Sequence, residues 1–394
     1  MTAMLNDMRT IPAMRRSLVL LGTLAVACLP ACDGGSSPSC DSEPEVRTTK
    51  DGVAFVRTPE SCFAALPGFP YESKFVDIDG LRQAYVDEGP PDADPVLLLH
   101  GQPSWGYLYR KMIPVLVAGG HRVVALDFIG MGRSDKPIDI EHYSYLGHID
   151  RLEKLIGALR LRNITLFCQD WGSLIGLHLA GENPDWFARI VVGDGRLPVV
   201  PEGVQIYPAV KSPNDVDDTL IAPFAQIPAQ QFPFYDKQCN PLLPLDPAYF
   251  GKWMEYAMKA PSFHPSEVVE AMTWFDVPPE EEAAYDAPFP SRLYMAGVRV
   301  FPSLVNELAG ANANAWAGLM AYRKPFLTIW SNNDPGLLGS CAVQDELINN
   351  VPGAVGQPHT RLAEASHFLQ DDQGAEIARR MVEFIAATPM SSTP

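Results

Sequence analysis

The sequence predicts an α/β protein, with a mostly parallel, doubly wound sheet and an inserted, mainly helical cap. Three observations point that way. Apolar runs of strand length alternate with helical stretches through the first half of the chain. The alternation lapses between about residues 196 and 306 and resumes from 325. Residues 164–172 read Ile-Thr-Leu-Phe-Cys-Gln-Asp-Trp-Gly, an apolar strand running into a sharp turn with a helical stretch directly after it. The chain has 394 residues, 47% hydrophobic and 20% charged, which suits one large folded body carrying an insertion.

Residues 1–32 read as a targeting segment. Arg15-Arg16 form a basic start, 17–29 are rich in Leu, Val and Ala, and Leu29-Pro30-Ala31-Cys32 is similar to a bacterial lipobox. The expectation is export across the inner membrane, to the periplasm or to a lipid anchor on Cys32. Ala25-Val26-Ala27 would equally suit an ordinary cleaved signal. The apolar stretch is short for a membrane-spanning helix. Residues 33–63, rich in Gly, Ser, Pro and acids at the start, read as a tether and arm.

Residues 64–196 read as the first part of the core, with strands at 81–87, 95–99, 122–127, 164–169 and 188–193. Helices are expected at 108–118, 149–159 and 174–180. Residues 197–306 read as the cap: ten prolines fall between Pro198 and Pro247, and helical periodicity returns at 248–260 and 265–274. Residues 307–394 complete the core with strands at 325–330 and 360–363 and helices at 343–349 and 374–387.

Seven cysteines suit an oxidising compartment. With Cys28 removed and Cys32 acylated, Cys40–Cys62 and Cys239–Cys341 are the expected disulfides, and Cys168 is a small hydrophobe in a buried strand. The net charge of −17 argues against nucleic acid and anionic membrane surfaces as partners. No metal-spaced His/Cys cluster is visible.

The strand–turn–helix at 164–180 is the setting of a hydrolase nucleophile elbow, but the elbow carries Asp170 where serine is usual. A carboxylate suits displacement at saturated carbon, because the ester it forms can later be hydrolysed at its own carbonyl. Asp334 follows the strand at 325–330 and His367 follows the strand at 360–363, so nucleophile, acid and base come in the hydrolase order. Loops beyond strand C-termini form the ligand crevice in such sheets. The backbone N–H groups of Gln102, in His100-Gly101-Gln102-Pro103, and of Trp171 are candidates for an oxyanion hole. The His100 side chain reads as a structural anchor. The Trp171 indole is a donor with no acceptor, suited to a departing anion.

These residues resemble the haloalkane dehalogenases of the α/β-hydrolase superfamily. The resemblance runs from Val56 to Ala387. It includes His100-Gly-Gln-Pro-Ser-Trp-Gly-Tyr-Leu-Tyr-Arg-Lys-Met-Ile-Pro114, Asp127-Phe-Ile-Gly-Met-Gly-Arg-Ser-Asp-Lys-Pro137, Gln169-Asp-Trp-Gly172 and Ser366-His-Phe368. It is strongest with the subfamily whose halide is held by two tryptophans. It implies Asp170 as nucleophile, His367 as base, Asp334 as its orienter, and Trp171 and the cap residue Trp253 as halide donors. It implies hydrolysis of a small haloalkane to alcohol, halide and proton, by a chain expected to be a monomer, with no metal or organic cofactor. Gln102 departs from the Glu or Asn of that position and is a possible halide donor through its side chain. Two other readings remain at this stage. One is an epoxide hydrolase using the same triad with lid tyrosines from Tyr235, Tyr249, Tyr256 and Tyr285. The other is a non-catalytic envelope lipoprotein that binds a small apolar ligand.

Overall fold

The computed structural model describes residues 39–390, apart from 211–215, 228–230, 232, 237–238, 244–245 and 247. The expected targeting segment, with Cys32, lies outside the described residues.

Eight strands make the central sheet: β1 (Lys74–Ile78), β2 (Leu81–Glu88), β3 (Pro95–Leu99), β4 (Arg122–Leu126), β5 (Ile164–Gln169), β6 (Phe187–Gly193), β7 (Phe326–Ser331) and β8 (Thr360–Leu362). Their spatial order is β1-β2-β4-β3-β5-β6-β7-β8. The β1–β2 and β2–β4 pairs are antiparallel, and every later pair is parallel. Every residue of β3, β5 and β7 is buried. Parallel strands covered by helices on both faces demand such mostly apolar runs, which is why they were legible.

The helices are α1 (Ile113–Ala118), α2 (Tyr145–Ala158), α3 (Trp171–Glu182), α4 (Tyr249–Lys259), α5 (Pro265–Ala271), α6 (Pro279–Asp286), α7 (Ala296–Val300), α8 (Ala313–Ala321), α9 (Cys341–Asn350) and α10 (Leu369–Ala387). Several differ from the sequence expectation for identifiable reasons. The expected helix at 108–118 is a 3-10 turn at Gly106–Tyr109 followed by α1, with Pro114 in the first turn of the latter. Helix α2 starts earlier than expected because Ser144 caps it, accepting the Gly147 N–H at 3.1 Å. Helix α10 starts at Leu369 rather than 374 because a break at Gln373 separates its first turn from the rest. Helices α6, α7 and α8 were not anticipated.

The N-terminal arm is stapled by Cys40–Cys62 and adds strands Arg47–Thr48 and Ala54–Val56 to Lys136–Pro137. Arg57 makes a bidentate pair with the buried Asp135 at 2.7 and 2.8 Å. Helices α4 to α7 lie in the segment expected to be the cap. Their buried side chains Trp253, Val269 and Val298, with Phe263 between α4 and α5, belong to the same apolar cluster as Leu97, Phe167 and Trp330 of the sheet. Polar links fasten this segment to the core. Arg110 bonds Tyr285 Oη at 3.1 Å and Asp371 at 2.9 Å, and it also pairs with Glu281. Tyr285 Oη donates to Asp371 at 2.6 Å. Breaking one partner of such a buried charged set costs about 3–5 kcal/mol, so it fixes the geometry of docking. At the Pro-rich end, Cys239 is bonded to Cys341 at the start of α9, and Tyr235 Oη donates to Gly336 O at 3.2 Å.

Candidate active site

Asp170 sits between β5 and α3 with φ 50° and ψ −128°, a conformation that costs a non-glycine residue energy. The strain lifts its side chain above the sheet edge. Two glycines make that possible. A Cβ on Gly172 would lie 2.1 Å from Leu99 O, and one on Gly101 would lie 2.2 Å from Asp170 Oδ1. The elbow can thus press against the β3 loop only if both stay bare. The Asp170 N–H donates to Asp194 O at 3.1 Å, and Ser173 Oγ donates to Asp170 O at 2.5 Å.

The Gln102 N–H donates to Asp170 Oδ1 at 2.8 Å, and the Trp171 N–H also bonds this carboxylate. Oδ1 is thus held by the Gln102 amide. Oδ2 lies 3.8 Å from His367 Nε2. His367 Nδ1 is 2.8 Å from Asp334 Oδ2, and Asp334 Oδ1 accepts the Gly336 N–H at 2.7 Å. Asp334 is fully buried. The histidine loop is tied to the acid loop by Ser366 Oγ, which donates to Asn333 O at 2.8 Å. Gln169 Nε2 donates to His367 O at 3.0 Å and also lies 3.2 Å from His367 Nε2. The three residues expected from chain order are thus brought together.

Burial alone would push His367 down, but the carboxylates of Asp334, Asp170 and Asp194 outweigh it and raise the imidazole to about 9. Burial raises the Asp170 carboxyl, and the His367 charge and the two amides oppose that. His100 is the reverse case. It is fully buried, its Nε2 accepts the Phe128 N–H at 3.1 Å, and burial lowers it to about 4. It is a neutral loop anchor, as its sequence context suggested.

Four of the tryptophans are buried: Trp105, Trp171, Trp253 and Trp330. Trp105 Nε1 donates to Ala284 O at 3.1 Å and Trp330 Nε1 to Leu338 O at 2.7 Å. Among the described residues, neither Trp171 nor Trp253 gives its indole N–H to a protein acceptor. Trp171 packs edge-on against Phe301 at 5.2 Å, and Trp253 lies among Phe224, Tyr256 and Phe263. The Gln102 side-chain amide donates to Val298 O at 3.0 Å, tying the β3 loop to α7. Of the four tyrosines considered as acids, Tyr285 and Tyr235 spend their hydroxyls on Asp371 and Gly336 O.

Sequence reasoning passed over Asp194. It follows the last residue of β6 and is fully buried. The available signal was an acid directly after an apolar strand, next to the elbow strand.

A family model described as the alpha/beta hydrolase fold matches residues 94–236. A haloalkane dehalogenase of Psychrobacter cryohalolentis is 39% identical over 347 residues, covering 86% of this chain and 100% of that protein. One from Mycobacterium marinum is 41% identical over 339 residues, covering 84% of this chain and 99% of that protein. Among solved structures, the haloalkane dehalogenase DpaA from Paraglaciecola agarilytica, described as tetrameric, aligns with a TM-score of 0.66. It is 29% identical, with 85% of this chain and 99% of that chain covered.

Proposed function

The chain belongs to the haloalkane dehalogenases, hydrolases of the α/β-hydrolase fold, and on that premise we propose how its residues divide the work. Asp170 Oδ2 attacks the carbon that bears the halogen. The carbon–oxygen bond forms as the carbon–halogen bond breaks, and the halide leaves with the bonding electrons. The indole N–H groups of Trp171 and Trp253 hold it in a site of low polarity, where such donors act strongly.

Asp170 is then an alkyl ester, and water must attack its carbonyl. His367 takes a proton from that water while Asp334 holds the imidazolium in place. Charge builds on Oδ1, where the Gln102 amide already points, and the Trp171 amide also bonds this carboxylate. Collapse releases the alcohol, its oxygen taking the proton from His367, and a proton is lost as Asp170 returns to the carboxylate. The substrate is a small haloalkane; its preferred chain length and halogen depend on the cap.

The observation that carries this assignment is the pair of open indole donors on Trp171 and Trp253 beside two tryptophans whose donors are occupied. An epoxide hydrolase would need two tyrosine donors instead, and with Tyr235 and Tyr285 engaged it would have to rely on Tyr249 and Tyr256. The test is halide release from chlorinated, brominated and epoxide substrates, with a His367→Phe variant analysed by mass. A trapped alkyl adduct on Asp170 is expected. Diol from epoxides without halide from any haloalkane would overturn the reading.

Export is part of the same reading. Residues 1–32, with a basic start and Leu29-Pro30-Ala31-Cys32, support a lipid anchor on Cys32 in the bacterial envelope. The two disulfides favour an oxidising compartment. Mass analysis of the mature N-terminal peptide, against a Cys32→Ser variant, tests it: an unmodified Cys32 would sink the anchor.

A further inference from the structure

Helix α10 carries an extra turn, Leu369–Asp372, ahead of the break at Gln373. That turn comes directly after the His367 loop and brings two adjacent acids against the cap. Asp371 pairs with Arg110, Lys111 and the Tyr285 hydroxyl, so it is accounted for as a charge partner. Asp372 takes backbone amides instead. Its Oδ1 accepts the N–H of Trp274 at 2.8 Å and of Phe275 at 3.1 Å. Its Oδ2 accepts the Ser366 N–H at 2.9 Å and shares that of Trp274 at 2.9 Å.

Trp274 and Phe275 lie between α5 and α6 of the cap, and Ser366 immediately precedes His367. On the other side of the histidine, the Phe368 N–H donates to Met272 O at 3.2 Å. Both amides that flank His367 are thus held by one short cap segment, 272–275, directly at Phe368 and through Asp372 at Ser366. The core holds the residue between them, Asp334 at the imidazole and Gln169 at the carbonyl. Two successive N–H groups turned to one point suit an anion, and this carboxylate supplies it. An amide side chain has a single accepting oxygen, and its NH2 would face a donor on the other side. Holding two chain segments at once therefore calls for an acid. Burial first pushes the Asp372 carboxyl up to about 7; the three amides oppose that, and the charge of Asp371 adds to it.

We propose that Asp372 is a positioning residue for ester hydrolysis, clasping the His367 loop to cap segment 272–275 and so setting where the base stands. The inference rests on the two-step reading above. Displacement uses Asp170 and the halide donors and makes no demand on the base. Hydrolysis needs His367 Nε2 aligned on a water and the ester carbonyl, where a shift of about 1 Å can cost about a hundredfold. Docking of the cap and readiness of the base are thereby linked: His367 is in line only while segment 272–275 is seated.

The test is single-turnover kinetics with a bromoalkane in wild type, Asp372→Ala and Asp372→Asn, at a pH above about 7 so that Asp372 is ionised. The halide burst reports displacement, and decay of the alkyl-enzyme by mass reports hydrolysis. Asp372→Ala is expected to keep the burst rate within about twofold while the alkyl-enzyme decays about tenfold more slowly. Asp372→Asn keeps one accepting oxygen and holds one side of the clasp, so its decay should fall between the two. In both variants kcat/KM, set by displacement, should stay near wild type, which a general loosening of the fold would not allow. The Asn variant carries the test should the Ala variant not fold. Wild-type decay of the alkyl-enzyme in Asp372→Asn would overturn the proposal. So would equal losses in burst and decay, which would assign Asp372 to the fold alone. Absence of a burst in wild type would strike the two-step reading itself, a result distinguishable from either.

Discussion

His367 Nε2 stands 3.8 Å from Asp170 Oδ2, too far for a hydrogen bond and close enough for strong coupling of their charges. The histidine is held at about 9 partly by the charge on Asp170, so in the resting enzyme it is protonated at neutral pH. Alkylation turns Asp170 into a neutral ester and removes that support. Alkylation therefore shifts His367 towards the neutral form that the second step needs.

Asp170→Asn should accordingly lower the His367 pKa below about 9, read from imidazole resonances in an NMR titration. An unchanged value would show that the two groups are not coupled. In turnover, hydrolysis needs neutral His367, so its rate should fall as pH drops through the pKa of the alkylated enzyme. For stability the sign is opposite. The folded pKa lies above the ordinary histidine value of 6.5, so the contribution is full below 6.5 and lost as pH rises through about 9.

Replacing either open indole should weaken halide binding. Trp171→Phe and Trp253→Phe are expected to lower bromide affinity about tenfold or more each, the loss of one hydrogen bond to a charged partner. Halide quenching of the remaining tryptophan fluorescence measures it. Gln102→Ala, whose side chain is engaged with Val298 O, should leave the affinity within about twofold. The opposite ranking would move the second donor from the cap to the β3 loop.

Gly101→Ala tests how tightly the nucleophile is seated. The new Cβ would lie 2.5 Å from Asp170 Cβ as well as 2.2 Å from its Oδ1, and no side-chain rotation moves a Cβ, so the β3 loop and the elbow must part. The expected outcome is a loss of about a hundredfold in kcat/KM, accompanied by a fall in Tm from the displaced loop. A large fall in Tm with normal specific activity would contradict this placement.

The Cys239–Cys341 bond closes a sequence separation of 102 residues. Replacing both cysteines by serine should cost about 2–4 kcal/mol of stability in denaturant unfolding. Limited proteolysis should then cut first within the Pro-rich segment. Equal stability of the two proteins would mean that the Tyr235–Gly336 link and packing alone hold that segment down.

The parts of this protein that were legible in its sequence are those where one physical demand acts alone. Strands β3, β5 and β7, buried along their whole length, had to be mostly apolar, and the order Asp170, Asp334, His367 followed from loops placed after strands. Helices α6 and α7 were illegible because each is under three turns long and their residues serve docking onto the core more than helical periodicity. Helix α8 lacks a side-chain cap, so nothing announced its start. Asp194 was missed because an isolated acid after a strand carries no pattern; only its burial and its neighbours give it meaning. The open donors of Trp171 and Trp253 are likewise invisible until the acceptors of Trp105 and Trp330 are seen.

The placement of His367 directly before α10, in the loop after the edge strand β8, bears on when the protein can first work. During synthesis Asp170 and its amides emerge long before the histidine. A partly made chain could at most be alkylated once, and it could not recover. Turnover therefore begins only when the last strand is added to the sheet, so activity reports completed assembly of the whole sheet rather than of the elbow alone.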